Sequence, residues 1–423
     1  MYEGRAIISL FSGAMGLDLG LERAGLTTAV AVEVNPKAAE TIRLNKPDLP
    51  VIVGQIEGVS SKDILRLARL KRGGPCIVTG GPCCQSFSTA GKRKSISAPS
   101  GGLFRHFTRV VADTRPRFFV MENVKGILSA AARHRPLNGR GPGNPPLAPD
   151  EELGSALEII LEELSELNYR VVYGLLNCAD YGVPQKRMRV IFLGSRDGEA
   201  IHLPVPTHSR DGADGKLPWV TLGESIGKLQ DPDLECVEFT EDRLKLLRQL
   251  KAGQNWTHLP AKLHREALGA AYDSWGGRCG FCRRLAWNKP APTLTTSPIG
   301  RATTLCHPTE LRPLSIREYA TLQQFPDDWR FSGSVQQKYI QIGNAVPIGL
   351  GAAIGNMFRQ VMESTASDGL PKNAKVSLGE VKCGDPALEE RLANRPKTQL
   401  HPARLLKSRD PEAKRKWLES VAA

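Results

Sequence analysis

The chain has 423 residues, of which 41% are hydrophobic and 24% are charged, as expected of a soluble globular protein with two domains. No apolar run approaches the roughly 20 residues of a membrane span, and a strand-like segment begins near Met1, so we expect neither a membrane protein nor a secreted one. The 57 Lys and Arg residues exceed the 44 Asp and Glu residues by 13, which favours an anionic partner such as nucleic acid. The nine cysteines are odd in number and widely spaced, which indicates free thiols in a reducing compartment.

The first two hundred residues alternate short apolar segments with amphipathic ones, a rhythm typical of βαβ units. Because continuous apolar strands are buried on both faces, the pattern predicts an α/β fold with a doubly wound, mostly parallel sheet. The predicted strands are residues 6–10, 29–34, 50–53, 76–79, 118–121, 171–175 and 190–193. Asn35 and Pro36 are residue types of a helix N-cap and first turn, and they predict a helix that ends near Asn45.

From residue 198 the rhythm stops, and a stretch rich in Gly, Pro, Trp, His and basic residues predicts a smaller, irregular domain. Helical patterns return at 315–323 and at 347–361, where small residues predict a tightly packed helix. We therefore divide the chain into a first domain (1–197 and 306–365), an irregular domain (198–305) and a basic tail (366–423). The tail is polar and rich in proline, so we expect it to be flexible, with one short helix near 411–421.

The first strand ends in a glycine turn, Phe11 to Gly16, that feeds a helix. Glycines allow the backbone to approach a ligand, and Glu33, about twenty residues on, is placed to bind ribose hydroxyls. The pattern favours a nucleotide-like cofactor, although a glycine turn is also a common connection between a strand and a helix.

Three further segments carry chemistry. Cys84 lies in Gly80-Gly81-Pro82-Cys83-Cys84-Gln85-Ser86-Phe87-Ser88, after a central strand, where a thiolate can reach a substrate. Glu122 ends the next strand, and Gln185, Arg187 and Arg189 share one face of an extended segment. The alternatives are a buried structural cysteine, a salt-bridged acid and a solvated basic strand edge.

Together these segments resemble the DNA (cytosine-5) methyltransferases that use S-adenosylmethionine. Two late segments, 312–327 (RPLSIREYATLQQFPD) and 341–347 (QIGNAVP), match the family in order and spacing, so the resemblance covers roughly residues 4–360. It implies a Rossmann-like methyltransferase domain, a DNA-recognition domain, Cys84 as the nucleophile, Glu122 as the acid, and Arg187 and Arg189 as the pair that orients the base. It also implies a set of residues at the cofactor: Phe11, Ser12, Gly13, Gly16, Leu17, Glu33, Val34, Gln55, Ile56, Leu103, Asn344 and Val346.

Two positions depart from the family pattern. Cys83 stands where the family usually has proline before the nucleophile, and Gln55 stands where an aspartate usually binds the adenine amino group. We assign Cys84 as the nucleophile because Gln85 and Phe87 follow it, and a glutamine oxygen can accept the same hydrogen bond as an aspartate.

The resemblance implies double-stranded DNA as the partner. The target cytosine must then be flipped out of the duplex before a thiolate can reach its ring. Residues 89–102 predict a loop that closes on phosphates, although an ordinary surface loop is the alternative. A lone Cys279-x-x-Cys282 lacks two further paired ligands, so we expect no metal. The residues predicted to contact DNA are Gln85, Ser88, Lys92, Arg93, Gln185, Arg278, Arg283 and Arg284.

The sequence thus predicts a monomeric methyltransferase in the bacterial cytoplasm, bound to the nucleoid through DNA and with a cognate restriction endonuclease as a further partner. Three alternatives remain open. The tRNA-methylating branch of the family shares these signatures, although the hundred-residue irregular region favours DNA. A non-catalytic DNA-binding regulator would not need Cys84, Glu122 and both arginines, and a nicotinamide-dependent oxidoreductase shares only the glycine turn.

Overall fold

The computed structural model describes residues 4–82, 102–136, 139–140, 143–273, 279–368 and 379–394. The strands in chain order are β1 (Ala6–Leu10), β2 (Thr27–Glu33), β3 (Val51–Val53), β4 (Ile77–Gly80), β5 (Phe118–Val124), β6 (Arg170–Asn177), β7 (Gln185–Lys186), β8 (Met188–Ser195), β9 (His208–Ser209), β10 (Leu217–Pro218), β11 (Ala291–Pro292) and β12 (Val381–Cys383). The helices are α1 (Gly16–Arg23), α2 (Pro36–Asn45), α3 (Ser61–Ala68), α4 (Leu103–Thr114), α5 (Ser155–Ser165), α6 (Leu222–Ile226), α7 (Glu241–Leu247), α8 (His264–Leu268), α9 (Ile316–Leu322), α10 (Val335–Asn344), α11 (Ile348–Asp368) and α12 (Pro386–Ala393). Within the described ranges, no helix has both the length and the apolar character that a bilayer crossing requires.

The main sheet has eight strands in the order β12-β6-β8-β5-β4-β1-β2-β3. All pairs are parallel except those of β8, which runs antiparallel to β5 and β6. The connection from β6 to β8 is too short for the crossover that parallel strands need, so β8 has to turn back beside β6. The predicted doubly wound, mostly parallel fold is confirmed.

The ligand-binding edge of the sheet follows from this strand order. The chain passes from β1 through α1 to β2 on one side, and later returns as β4 on the other side of β1. In open α/β sheets, ligands bind where the strand order reverses, at the carboxyl ends of the strands. The glycine turn after β1 and Gly81 after β4 both lie at this edge.

Local sequence signals explain two helices near this edge. The Asn35 side chain accepts hydrogen bonds from the backbone N–H of Lys37 and Ala38 at the start of α2. Ser315 and Glu318 form a capping box at the start of α9. Both helices begin where their capping residues predict.

α11 covers one face of the sheet and packs against α1. A Cβ atom on Gly20 would lie 2.3 Å from the carbonyl oxygen of Ile348, and one on Gly351 would lie 2.6 Å from that of Leu17. The small residues therefore permit a close helix-to-helix approach, as the sequence predicts.

The irregular region has a small hydrophobic core of its own, formed by Phe239, Leu246, Leu247, Leu250, Leu259, Ala267, Cys282 and Cys306. It is joined to the sheet domain where β11 pairs in parallel with β7. α6 packs instead into the hydrophobic cluster that contains α9 and α10, so this part of residues 198–305 lies against the first domain.

The tail differs from its prediction. β12 pairs in parallel with β6 and extends the sheet, and α12 buries Leu388, which is 2% exposed. Asp385 caps α12 and Pro386 occupies its first turn. The prediction of a flexible tail from residue 366 is therefore wrong for residues 379–394, and the predicted helix at 411–421 lies outside the described residues.

Candidate active site

The glycine turn after β1 has an unusual backbone. Phe11, Gly13 and Met15 all have positive φ angles, of 54°, 53° and 67°. Two of these residues carry side chains, for which this conformation is unfavourable, and such strain concentrates at ligand-binding sites. A Cβ atom on Gly13 would meet no atom within 4 Å, so the space above the turn is open.

Glu33 at the end of β2 fastens this turn. Its carboxylate accepts hydrogen bonds from the backbone N–H of Gly13 at 2.6 Å and of Asn35 at 2.8 Å. The side chain is buried, and burial raises the pKa of the carboxyl while these hydrogen bonds lower it. Glu33 is therefore placed beside the open space, where the sequence predicts a contact with ribose.

The strand and helix ends around this space bring in further predicted cofactor residues. Val34 is 56% exposed, and Gln55 is also exposed, next to Gly54, whose backbone N–H donates to the Glu33 carbonyl. Leu103 is half-buried at the start of α4, and Asn344 is exposed at the end of α10. Exposed Val34 and Gln55 offer the apolar and hydrogen-bonding groups that a purine ring needs.

Four other predicted cofactor residues have buried side chains. Leu17 and Val346 belong to one core cluster, Ile56 belongs to another, and the Ser12 hydroxyl is directed to backbone oxygens. Gly16 has a packing role, since a Cβ atom there would lie 2.2 Å from the Val346 carbonyl oxygen. Only the backbone of these residues can face a ligand.

Glu122 and Arg189 form an ion pair at the carboxyl end of β4 and β5. Their Oε1 and Nε atoms are 2.5 Å apart, and both side chains are about nine-tenths buried. The pairing depends on the antiparallel β8, which places Arg189 opposite Val124, two residues beyond Glu122. A Cβ atom on Gly81 would lie 2.8 Å from the other carboxylate oxygen, so a glycine is required there.

Arg187 is placed differently from Arg189. It is 1% exposed, and its guanidinium donates to the carbonyl oxygens of Leu294 at 2.8 Å and Gly343 at 2.7 Å. The Gln185 side chain is also fully buried, where its oxygen accepts from the Leu294 N–H and its NH2 group donates to Gln323. Both side chains bind within the protein. This favours a structural role for Arg187, instead of the predicted contact with the base, and for Gln185, instead of the predicted contact with DNA.

The predicted nucleophile, Cys84, lies outside the described residues. So do Gln85, Ser88, Lys92, Arg93 and the whole predicted closing loop except Gly102. The last described residues before them, Gly81 and Pro82, run beside Glu122, and the Asn123 side chain donates to the Pro82 carbonyl at 3.4 Å. The chain therefore enters the loop next to the Glu122 carboxylate.

The predicted DNA-contacting arginines are also of different kinds. Arg284 is buried, and its guanidinium donates to the carbonyl oxygens of Leu250, in the irregular region, and of Glu310, just beyond it. Arg283 donates to the Thr304 carbonyl, and burial lowers its pKa to about 10. Arg278 lies outside the described residues. These contacts favour a structural role for Arg284, whereas the terminal nitrogens of Arg283 make no hydrogen bond to the described part of the chain.

Sequence reasoning missed three contributors. Asn123 and Gly81 shape the entry to the loop, and their signal was available, because both stand inside the segments that carry Glu122 and Cys84. Gln323 bridges Gln185 to the Ile342 carbonyl, and nothing in its local sequence distinguishes it from Gln324.

The chain is similar to several known proteins. The family model described as C-5 cytosine-specific DNA methylase matches residues 5–360. The type II methyltransferase M.Sau96I of Staphylococcus aureus is 35% identical over 352 residues, which cover 82% of this chain and 74% of the relative. M.PspPI of a Psychrobacter species is 35% identical over 373 residues, covering 86% and 81%. A crystal structure of a prophage-encoded DNA modification methyltransferase of E. coli superposes with a TM-score of 0.57 at 23% identity, covering 85% of this chain and 99% of that one, and supports the fold.

Proposed function

Since the chain belongs to the C-5 cytosine-specific DNA methylases and is a DNA (cytosine-5) methyltransferase of the restriction–modification type, we propose that it methylates a flipped-out cytosine through a covalent Cys84 adduct. The observation that carries this proposal is the Glu122–Arg189 ion pair beside the strand end that leads into the Cys84 loop. The tRNA branch, the non-catalytic regulator and the oxidoreductase are not needed to account for these residues.

The reaction requires that the aromatic ring be made nucleophilic. The Cys84 thiolate adds to carbon 6, the carbon 5–carbon 6 electron pair shifts to carbon 5, and Glu122, in its protonated form, donates a hydrogen bond to ring nitrogen 3. After carbon 5 has taken the methyl group, its proton passes to a water molecule, the carbon–sulfur bond breaks and the thiolate leaves. The ring double bond is thereby restored.

Arg189 positions the acid in this scheme. It holds Glu122 Oε1, so that Oε2 faces the backbone of Gly81, on the side from which the Cys84 loop starts. A carboxyl fixed in this way needs no reorganisation when the base arrives, which is the main source of electrostatic stabilisation in enzymes. Arg187 precedes Arg189 by two residues on the same extended segment. Its guanidinium donates to the carbonyl oxygens of Leu294 and Gly343 and so holds this segment in place.

S-adenosylmethionine is the proposed cofactor, and it supplies the electrophilic methyl group. The open space over Gly13 and the buried Glu33 carboxylate fit a ribose, and exposed Val34 and Gln55 fit an adenine. Gln55 would accept a hydrogen bond from the adenine amino group. Phe11 after β1, Leu103 at the start of α4 and Asn344 at the end of α10 complete the set.

Duplex DNA is the proposed substrate, with the irregular region selecting the target sequence. The excess of 13 positive charges favours binding to phosphates, and loops that carry arginine suit the reading of base edges. We further propose that the protein acts as a monomer in the cytoplasm, at the nucleoid, together with a cognate endonuclease.

A direct test is expression in a host that lacks cytosine methylases, followed by bisulfite sequencing of its genome. One short sequence motif should carry 5-methylcytosine throughout. Methylated cytosine in tRNA but not in DNA would contradict the proposal.

The nucleophile is tested with duplexes that contain 5-fluorocytosine, which should trap a covalent complex on Cys84. Cys84→Ser should abolish this complex, and Cys83→Ser should leave it intact. A peptide adduct mapped to Cys83 by mass spectrometry would reverse the assignment.

The role of Arg189 is tested by Arg189→Gln, with exposed Arg105→Gln as the matched control. Arg105 pairs with Glu163 at the protein surface, so its loss should leave kcat unchanged. Arg189→Gln should lower kcat by about 100-fold, the typical effect of removing one electrostatic contributor, while cofactor affinity stays the same. An unchanged kcat would show that Glu122 does not depend on this pair.

A further inference from the structure

A cluster of buried polar side chains lies beneath the cofactor turn. Ser9 on β1 and Thr79 on β4 are paired in register, and their strand neighbours Ile7 and Ile77 face the layer of α1 and α11. Because side chains alternate along a strand, Ser9 and Thr79 face the same layer. Asp18 stands in the first turn of α1, and its carboxyl interacts with the Ser9 side chain.

This cluster is costly to bury. Ser9 and Thr79 are 1% exposed and Asp18 is 2% exposed. Asp18 Oδ1 and Thr79 Oγ1 have no hydrogen-bond partner anywhere in the described part of the chain. A buried polar atom without a partner costs about 1–3 kcal/mol, so an apolar residue at position 18 would be more stable unless the carboxyl serves another purpose.

The cluster is connected to the turn by hydroxyl groups. The Ser9 hydroxyl donates to the Ser12 hydroxyl at 2.8 Å, and the Ser12 hydroxyl reaches the carbonyl oxygen of Val32 at 3.3 Å. Ser12 stands in the turn itself, one residue before Gly13, whose N–H is held by Glu33. The chain of hydrogen bonds therefore runs from Asp18 to the point where the turn is fastened to β2.

The direction of this chain depends on the proton of Asp18. A hydroxyl has one proton to donate. A neutral Asp18 carboxyl can donate to Ser9, which leaves Ser9 free to donate to Ser12, and Ser12 to donate to Val32. An ionised carboxylate can only accept, so it takes the hydrogen bond that Ser9 donates. Ser12 can then donate to the Ser9 oxygen, and its hydroxyl no longer donates to Val32.

We propose that Asp18 is a positioning residue for cofactor binding, whose neutral carboxyl aligns the Ser9 and Ser12 hydroxyls that fasten the turn. This inference rests on the proposed cofactor site. Burial, with a smaller contribution from Glu22, raises the pKa of Asp18 to about 7 against the opposing effects of Ser9 and Lys46. The carboxyl therefore changes charge near neutral pH.

The test is calorimetric titration of the full-length protein with S-adenosylmethionine between about pH 6 and pH 8.5. Wild-type affinity should weaken across this range by between about threefold and thirtyfold, the latter if only the neutral form binds. Asp18→Asn keeps a donor at the same place and should bind with an affinity that varies much less with pH. Glu33 also titrates at this site, so the difference between the two proteins is the measured quantity.

Glu22→Gln is a companion variant with a different expected result. It removes a neighbouring charge that raises the pKa of Asp18 and pairs with Lys46, outside the hydroxyl chain, so the pH dependence should persist but move to lower pH. Ser9→Ala gives a second approach if Asp18→Asn folds poorly: affinity should fall at low pH and its pH dependence should diminish. Equal pH dependence in wild type and Asp18→Asn would overturn the inference, whereas no binding by wild type at any pH would instead refute the proposed cofactor.

Discussion

Asp18→Asn also makes a prediction about folding stability that is independent of any ligand. The carboxyl has an ordinary pKa of 3.8, which burial raises to about 7 in the folded chain. Below about pH 4 it is neutral in both states. As the pH rises towards 7, the unfolded chain releases the proton while the folded chain retains it, so wild-type stability falls. With about 1.4 kcal/mol for each pH unit, the total loss is about 4 kcal/mol, complete above pH 7.

The amide of the variant does not titrate, so Asp18→Asn lacks this loss. The free energy of unfolding of the variant minus that of wild type should therefore rise by about 4 kcal/mol between about pH 4 and pH 8. Urea denaturation followed by circular dichroism at several pH values measures this difference, and all other carboxyls cancel from it. A difference that stays constant to within about 1 kcal/mol would refute the reasoning, since Asp18 would then titrate alike in both states.

Two further predictions follow from packing. Gly16→Ala brings a Cβ atom to 2.2 Å from the Val346 carbonyl oxygen, so it should lower the free energy of unfolding by roughly 2 kcal/mol and weaken cofactor binding. The control Gly58→Ala, whose Cβ atom would meet no atom within 4 Å, should leave both quantities unchanged. Urea denaturation measures the stability and calorimetry measures the binding. Deleting residues 379–423 uncovers the β6 edge and removes the buried Leu388, so it should lower stability by roughly 2 kcal/mol, whereas deleting 395–423 should leave it unchanged. Equal urea midpoints for the two truncated proteins would show that β12 and α12 add nothing.

The elements of the sheet domain were predictable because their signals are local. Each of the seven predicted strands overlaps an observed one, α2 starts at its predicted Asn35 cap, and α9 lies within the predicted helical pattern at 315–323. β12 was missed because three residues are too few to show a pattern, and because its pairing partner, β6, lies about two hundred residues earlier.

The candidate site was predictable as a set of residues but not as a set of contacts. Period two placed Gln185, Arg187 and Arg189 on one face of a strand, but it could not show which of them would be covered. Leu294 and Gly343, more than a hundred residues further along the chain, pack on this segment. Gln185 and Arg187 are therefore buried and have a structural role.

These buried side chains also join the two parts of the proposed reaction. The Arg187 guanidinium holds Leu294, in the irregular region, and Gly343, the neighbour of Asn344 at the cofactor edge. Gly343 permits this contact because a Cβ atom there would lie 2.5 Å from the Thr295 carbonyl oxygen. Since Arg189 follows Arg187 by two residues on the same extended segment, a displacement of the irregular region by DNA would act on Arg187 and on the segment that carries the partner of Glu122. A single buried guanidinium therefore ties the region proposed to select the sequence to the carboxyl proposed to activate the base.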